Sequence, residues 1–110
     1  MLRVIQRTGD RVTAALPADV DLHTTPRLCA VGDRIIDEGC RHLVLDASGT
    51  DHLDSTGISV FIAWYKRLSA LGGSLTLTEV DERHLAVLTR LGLTSIMTII
   101  GVSTTDNPGA

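Results

Sequence analysis

The stretch His52-Leu53-Asp54-Ser55-Thr56-Gly57-Ile58-Ser59-Val60-Phe61-Ile62-Ala63-Trp64-Tyr65-Lys66-Arg67-Leu68 decides how the rest of the chain is read. A polar tetrapeptide, Asp54 to Gly57, leads directly into a run with helical periodicity. Ile58, Phe61, Ile62, Tyr65 and Leu68 recur at i, i+3, i+4, i+7 and i+10, which is one face of a helix. Asp54 or Ser55 suits the N-cap, because either side chain can accept a bond from an orphan N–H of the first turn. A hydroxyl, Ser55, thus falls at the mouth of a helix, where backbone N–H groups and the helix dipole favour a negative group such as phosphate. The tetrapeptide has two readings: a cap and turn only, or a site at which Ser55 is a regulated or reactive hydroxyl.

Upstream, Leu43, Val44 and Leu45 are consecutive apolar residues within His42–Ala47. That composition predicts a strand buried on both faces, and Ser48 to Asp51 a loop into the central helix. Before it lies a second helix. Thr24 or Thr25 can cap it, Pro26 fits its first turn, Leu28, Val31, Ile35 and Ile36 form its inward stripe, and Gly39 ends it. Strand, helix and strand in succession suggest a crossover. At the N-terminus, Leu2–Gln6 reads as a strand, Gly9-Asp10 as a turn, and Val12, Ala14 and Leu16 as the buried face of a second strand ended by Pro17. Downstream of Leu71 and Gly72-Gly73, Ser74–Thr78 alternates as a strand. Asp81 caps a helix bearing Leu85, Leu88 and Leu91 and ending at Gly92, and Ser95–Ile100 reads as a last strand. This order is α/β: a single domain over residues 1–100, with a mixed β-sheet, an N-terminal hairpin and helices mainly on one face. The polar segment 101–110, with Asn107-Pro108-Gly109, is expected to be a flexible tail.

Composition removes several function classes. The chain has 110 residues, 44% of them hydrophobic, enough for one core, but one Trp, one Tyr and one Phe only. Its formal net charge is −3, and its ten basic residues are scattered. Such a chain lacks a phosphate-tracking or base-stacking surface, so no nucleic-acid partner is expected. No apolar run reaches transmembrane length and Met1–Arg7 lacks a signal-peptide core, so the expectation is a cytoplasmic protein with no membrane partner. Cys29 and Cys40 fall at opposite ends of one predicted helix, about 16 Å apart, and read as free thiols.

Enzyme constellations are incomplete. Ser55 sits at a strand-to-helix junction, yet the glycine two residues before it that a nucleophile elbow needs is absent. His52 lies three residues ahead of it, while His23, His42 and His84 are dispersed and read as surface or cap histidines. Asp19, Asp21, Asp46, Asp51 and Asp54 gather toward one edge. They read as loop and cap carboxylates, with an acidic magnesium site as the competing reading. Phosphate-binding glycine loops are missing. No catalytic residue, metal or cofactor is therefore expected, and a hydrolase built on Ser55 is the weakest of three readings, the other two of which follow.

The segments Leu16–Pro26 and His42–Gly73 together resemble the STAS-domain anti-sigma-factor antagonists of bacterial partner-switching systems. The most specific match is Leu53-Asp54-Ser55-Thr56-Gly57-Ile58 followed by an apolar helix that ends in Gly-Gly. Leu16-Pro17-Ala18-Asp19-Val20-Asp21 is similar to the family's acidic loop, though Pro17, Ala18 and Asp19 depart from its usual residues. Leu91-Gly92-Leu93 also fits. The resemblance implies that Ser55 is the phosphorylated residue and that the partners are an anti-sigma factor with serine kinase activity and a serine phosphatase. It further implies that the unphosphorylated form binds the anti-sigma factor and frees the sigma factor. The expected docking face comprises Asp19, Asp21, His23, Thr24, Asp54, Ser55, Thr56, Gly57 and Ile58, with Gly57 admitting the partner's backbone. The alternative is a STAS adaptor subunit of a larger assembly, such as a lipid-transport ATPase complex or a stress-signalling scaffold, without phospho-switching.

Overall fold

The computed structural model describes residues 2–102. A hairpin of β1 (Arg3–Thr8) and β2 (Arg11–Ala15) opens the chain. There follow β3 (Asp19–Val20), α1 (Thr25–Asp37), β4 (His42–Asp46), β5 (His52–Leu53) and α2 (Ser55–Ala70). The chain closes with β6 (Ser74–Val80), α3 (Glu82–Arg90), a 3₁₀ turn (Leu93–Ser95) and β7 (Thr98–Gly101). Five strands form one sheet in the order β1-β2-β4-β6-β7. Strand β1 pairs antiparallel with β2, and every other neighbour in this sheet is parallel. From β2 onward each crossover moves one place in the same direction. Right-handed crossovers of that kind deliver their helices to a single face, and the mixed α/β sheet expected from the sequence results.

Period-two alternation separates the two faces. Val12, Ala14, Leu43, Leu45, Leu75 and Leu77 are buried under the helices. The alternate residues Thr13, Val44 and Thr76 are half-buried on the far face. The expectation that β4 is buried on both faces is thus corrected at Val44: the helices lie on one side, and among the described residues nothing comparable covers the other.

Helix α2 buries more than the anticipated stripe. Ile58, Phe61 and Leu68 are in the core, Ile62 and Tyr65 only partly so, while Val60 and Trp64 are buried as well. Trp64 displaces Tyr65 from the centre because α1 offers it a hole. A Cβ at Gly32 would lie 2.0 Å from the indole ring, so only glycine lets the ring lie against α1. The indole N–H donates to Asp33 Oδ1 at 3.1 Å, and Arg67 pairs with Asp33 and Asp37 across the same helix contact. Leu28, Ile35 and Ile36 complete the α1 face, with Val31 half-buried.

Two expectations at the end of the chain are revised. Leu91 is exposed rather than core, since it is the C-cap of α3. Gly92 (φ 83°) then turns the chain, and Leu93 and Met97 fill the space instead. The last strand begins at Thr98, not Ser95, because residues 93–95 take the 3₁₀ turn. Gly101, assigned to the tail, closes β7, and residues 103–110 of that expected tail lie outside the described residues. Cys29 and Cys40 are free thiols. Burial foremost, with Asp33 beside Cys29, pushes their pKa values up, so both thiols are protonated at neutral pH.

Candidate functional site

The loops after β2 and β4 leave the carboxyl ends of adjacent parallel strands and are fastened to each other by a second, two-stranded sheet. In it β3 and β5 run parallel, with Asp19 opposite His52 and Val20 opposite Leu53. The Asp51 and His52 N–H groups donate to the Ala18 carbonyl at 2.8 and 3.0 Å, and the Asp54 N–H donates to the Val20 carbonyl at 3.1 Å. Thr50 Oγ1 adds a bond to the Pro17 carbonyl at 2.9 Å. The acidic loop and the mouth of α2 are thereby one body.

Gly57 makes that body possible. A Cβ there would meet Val20 Cγ1 at 2.4 Å and Leu53 Cδ1 at 3.0 Å. The close approach that Gly57 permits is therefore internal, between α2 and β3. This replaces the expectation that it admits a partner's backbone. Ile58 is likewise turned into the core.

Asp54 caps α2. Its Oδ1 accepts the Thr56 N–H at 2.9 Å and the Gly57 N–H at 3.3 Å, together with the Thr56 hydroxyl. The Thr56 hydroxyl bond, supplemented by the backbone N–H groups of Gly57, Thr56 and Leu22, holds the carboxyl pKa below its ordinary value against a smaller desolvation effect. Asp54 is thus ionised at neutral pH and is the true N-cap. Ser55 is the first helical residue. Its side chain is exposed, and its hydroxyl has no hydrogen-bond partner among the described residues, whereas Thr56 is half-buried and committed to Asp54.

The preceding loop is capped differently from the expectation. Thr24 occupies the N-cap of α1, but its side chain makes no capping bond. Its hydroxyl instead accepts the Asp21 N–H at 3.0 Å and donates to the Asp19 carbonyl at 2.9 Å. The Asp21 carboxylate takes the N–H groups of His23 and Thr24 at 2.9 and 3.1 Å. The side chains of Asp19, Leu22 and His23 project into solvent.

Helix α3 contributes two residues that sequence reading did not connect to this place. Asp81 caps it through the His84 N–H at 2.8 Å, and its carboxylate also lies 3.2 Å from His84 Nδ1. His84 is buried beside this cap, and Arg83 donates to the Asp51 carbonyl at 2.9 Å. The cap at Asp81 was legible; the contact across 32 residues to the Asp51 loop has no local signal. Between α3 and the Asp21–Asp54 edge lies a shallow cleft of about 410 Å³. Asp46 stands apart, its carboxylate accepting the Ser48 N–H at 2.8 Å. Among the described residues no three His, Cys, Asp or Glu side chains are placed to hold a metal ion, and no helix is long and apolar enough to cross a membrane.

A mixed sheet with helices on one face, and an exposed serine directly after an aspartate N-cap, define an α/β domain whose distinctive chemistry is one free hydroxyl at a helix mouth. The chain belongs to the STAS domain family, whose pattern it matches over residues 3–105. It is 29% identical over 85 residues to the anti-sigma F factor antagonist of Paenibacillus polymyxa, spanning 76% of this chain and 73% of that protein. To the anti-sigma-B factor antagonist of Bacillus subtilis (strain 168) it is 24% identical over 95 residues, spanning 86% of each. The fold is similar to that of the Bacillus cell fate determinant SpoIIAA in its phosphorylated form, with a TM-score of 0.73, 19% identity and 90% coverage of both chains.

Proposed function

We propose that this STAS domain is an anti-sigma-factor antagonist whose affinity for its partner is switched by phosphorylation of Ser55. The observation that carries the reading is the state of the Ser55 hydroxyl: exposed, unbonded, and set at the first residue of a helix whose cap is supplied by another side chain. A kinase can reach such a hydroxyl without unfolding anything. Its curated relatives are named as antagonists of anti-sigma factors, which supports the same reading.

The chemistry of the switch follows from the surroundings. Transfer of a phosphoryl group from ATP to Ser55 Oγ, with ADP leaving, adds about −1.5 to −2 charge at neutral pH. The helix mouth tolerates this in the free protein. A docked partner excludes water from a surface that already carries Asp19, Asp21 and Asp54, and there the added charge is repelled and poorly solvated. The switch then acts at the contact surface rather than through the fold. In this scheme Asp54 holds the helix mouth in shape and Asp19, His23 and Thr24 supply the neighbouring loop. Gly57 and Ile58 act from inside, and a serine phosphatase restores the binding form. The domain itself is a regulator rather than a catalyst.

The test is to incubate the protein and ATP with each serine-kinase anti-sigma factor of the source genome and map the modified residue by mass spectrometry. One phosphate on Ser55, with a nearly unchanged melting curve, is expected. Phosphate only on Ser48, Thr56 or Ser59, or none with any kinase, refutes the phospho-switch and moves the adaptor reading ahead.

A further inference from the structure

The most exposed large apolar side chain among the described residues is Leu22, at 66%. It lies in the middle of the acidic loop, not at an edge strand or a helix end where stray apolar residues are common. Its backbone is fixed on both sides: Asp21 accepts the N–H groups of His23 and Thr24, and Thr24 ties Asp21 back to Asp19. Asp21, the residue before Leu22, lines the same cleft as Leu53 and Asp54, next to Ser55. The isobutyl group therefore stands on a braced loop beside the mouth of α2 and makes no part of the hydrophobic core. Asp19 and Asp21 precede it in the loop, and Asp21 lines one cleft with Asp51, Asp54 and the single Arg83. A leucine side chain presented from a preorganised loop costs little entropy to immobilise in an interface, so the apolar area it buries there counts nearly in full.

We propose that Leu22 is the apolar anchor of the docking face, entering an apolar socket on the partner that is rimmed by Lys or Arg side chains. The surplus of carboxylates over Arg83 at this edge fits a basic rim and disfavours a second copy of this chain, which would bring the same surplus. This proposal rests on the antagonist reading and adds to it a partner chemistry. It also joins the anchor to the switch, since a phosphate on Ser55 would draw water to the edge of the socket that Leu22 must dry.

Binding of wild type, Leu22→Ser and Leu22→Met to each purified serine-kinase anti-sigma factor of the source genome, by titration calorimetry at low and high salt, tests it. Loss of a buried leucine contact predicts about ten- to hundredfold weaker binding for Leu22→Ser. Leu22→Met, of similar volume, should stay within about threefold, and wild-type affinity should fall as salt rises. Unchanged melting temperatures separate a lost contact from a lost fold. Leu22→Ser binding as tightly as wild type overturns the anchor and leaves the antagonist reading standing. Equal losses for Ser and Met, or a lowered melting temperature accompanying the loss, also overturn the anchor. No binding by wild type to any of these factors, or Leu22-dependent self-association in sedimentation, overturns both.

Discussion

Replacing Gly57 by alanine sets two effects of known size against each other. Helix propensity favours alanine over glycine by at most about 0.8–1 kcal/mol. The new Cβ, however, would sit 2.4 Å from Val20 Cγ1, 3.0 Å from Leu53 Cδ1 and 3.2 Å from the Val20 carbonyl oxygen. Val20 is fully buried and β-branched, so its methyl cannot swing aside, and its carbonyl is held by the Asp54 N–H. Overpacking of this kind costs about 1–3 kcal/mol. The balance is a net loss of roughly 0–2 kcal/mol, which for a domain near this size lowers the melting temperature by up to roughly 16 °C. The damage should also be local. If β3 is pushed from α2, the Asp51, His52 and Asp54 amides, which bridge the two loops, should exchange with solvent faster than the sheet amides of β4 and β6. Thermal melts combined with amide hydrogen exchange read both effects. A Gly57→Ala protein stabilised by the full helix-propensity gain, with unchanged protection at those amides, would refute the claim that Gly57 is there to seat Val20.

Two further outcomes are expected. The folded-state pKa of Asp54 lies below its ordinary value, so its ionised form contributes stability that is complete above the unfolded value near 3.9 and is lost as pH falls through the folded value. The stability difference between wild type and Asp54→Asn should accordingly be constant near neutrality and shrink below pH ~4 in acid titrations. A difference that does not change with pH would show that the charge is not what caps α2. Ser55→Ala should melt like wild type, since Asp54 and not Ser55 supplies the cap bonds, and should still bind the anti-sigma factor. Ser55→Asp places a charge on a surface that must be desolvated and should weaken binding by ~30- to several-thousandfold. Equal affinities by calorimetry would put Ser55 outside the interface.

Much of the architecture was local enough to be legible. The periodicity of 58–68, the capping residues Asp54 and Asp81, and the glycines at 39, 72 and 92 marked the helices, because helix starts and stops depend on neighbouring side chains. Alternation in β2 and β6 marked the buried sheet face for the same reason. Strand β3 falls in a stretch that reads as loop and nothing marks its pairing with β5, since so short a pair has no periodicity and exists only because its partner lies 33 residues away. The choice between Trp64 and Tyr65 for the core was equally hidden, because it turned on a hole at Gly32 in another helix.

At the candidate site the division is similar. By itself the sequence determined that the tetrapeptide from Asp54 to Gly57 caps a helix and sets a hydroxyl at its mouth, because capping depends on residues within one turn. The bond from the Thr56 hydroxyl to Asp54, two residues away, is equally local, while tertiary structure decided that Ser55 is left exposed. It also decided that Gly57 faces Val20 rather than solvent, that Arg83 braces the Asp51 loop, and that Leu22 is left outside the core. Each of these depends on which surfaces meet when distant segments pack, and burial is a property of that meeting rather than of any residue's neighbours in the chain.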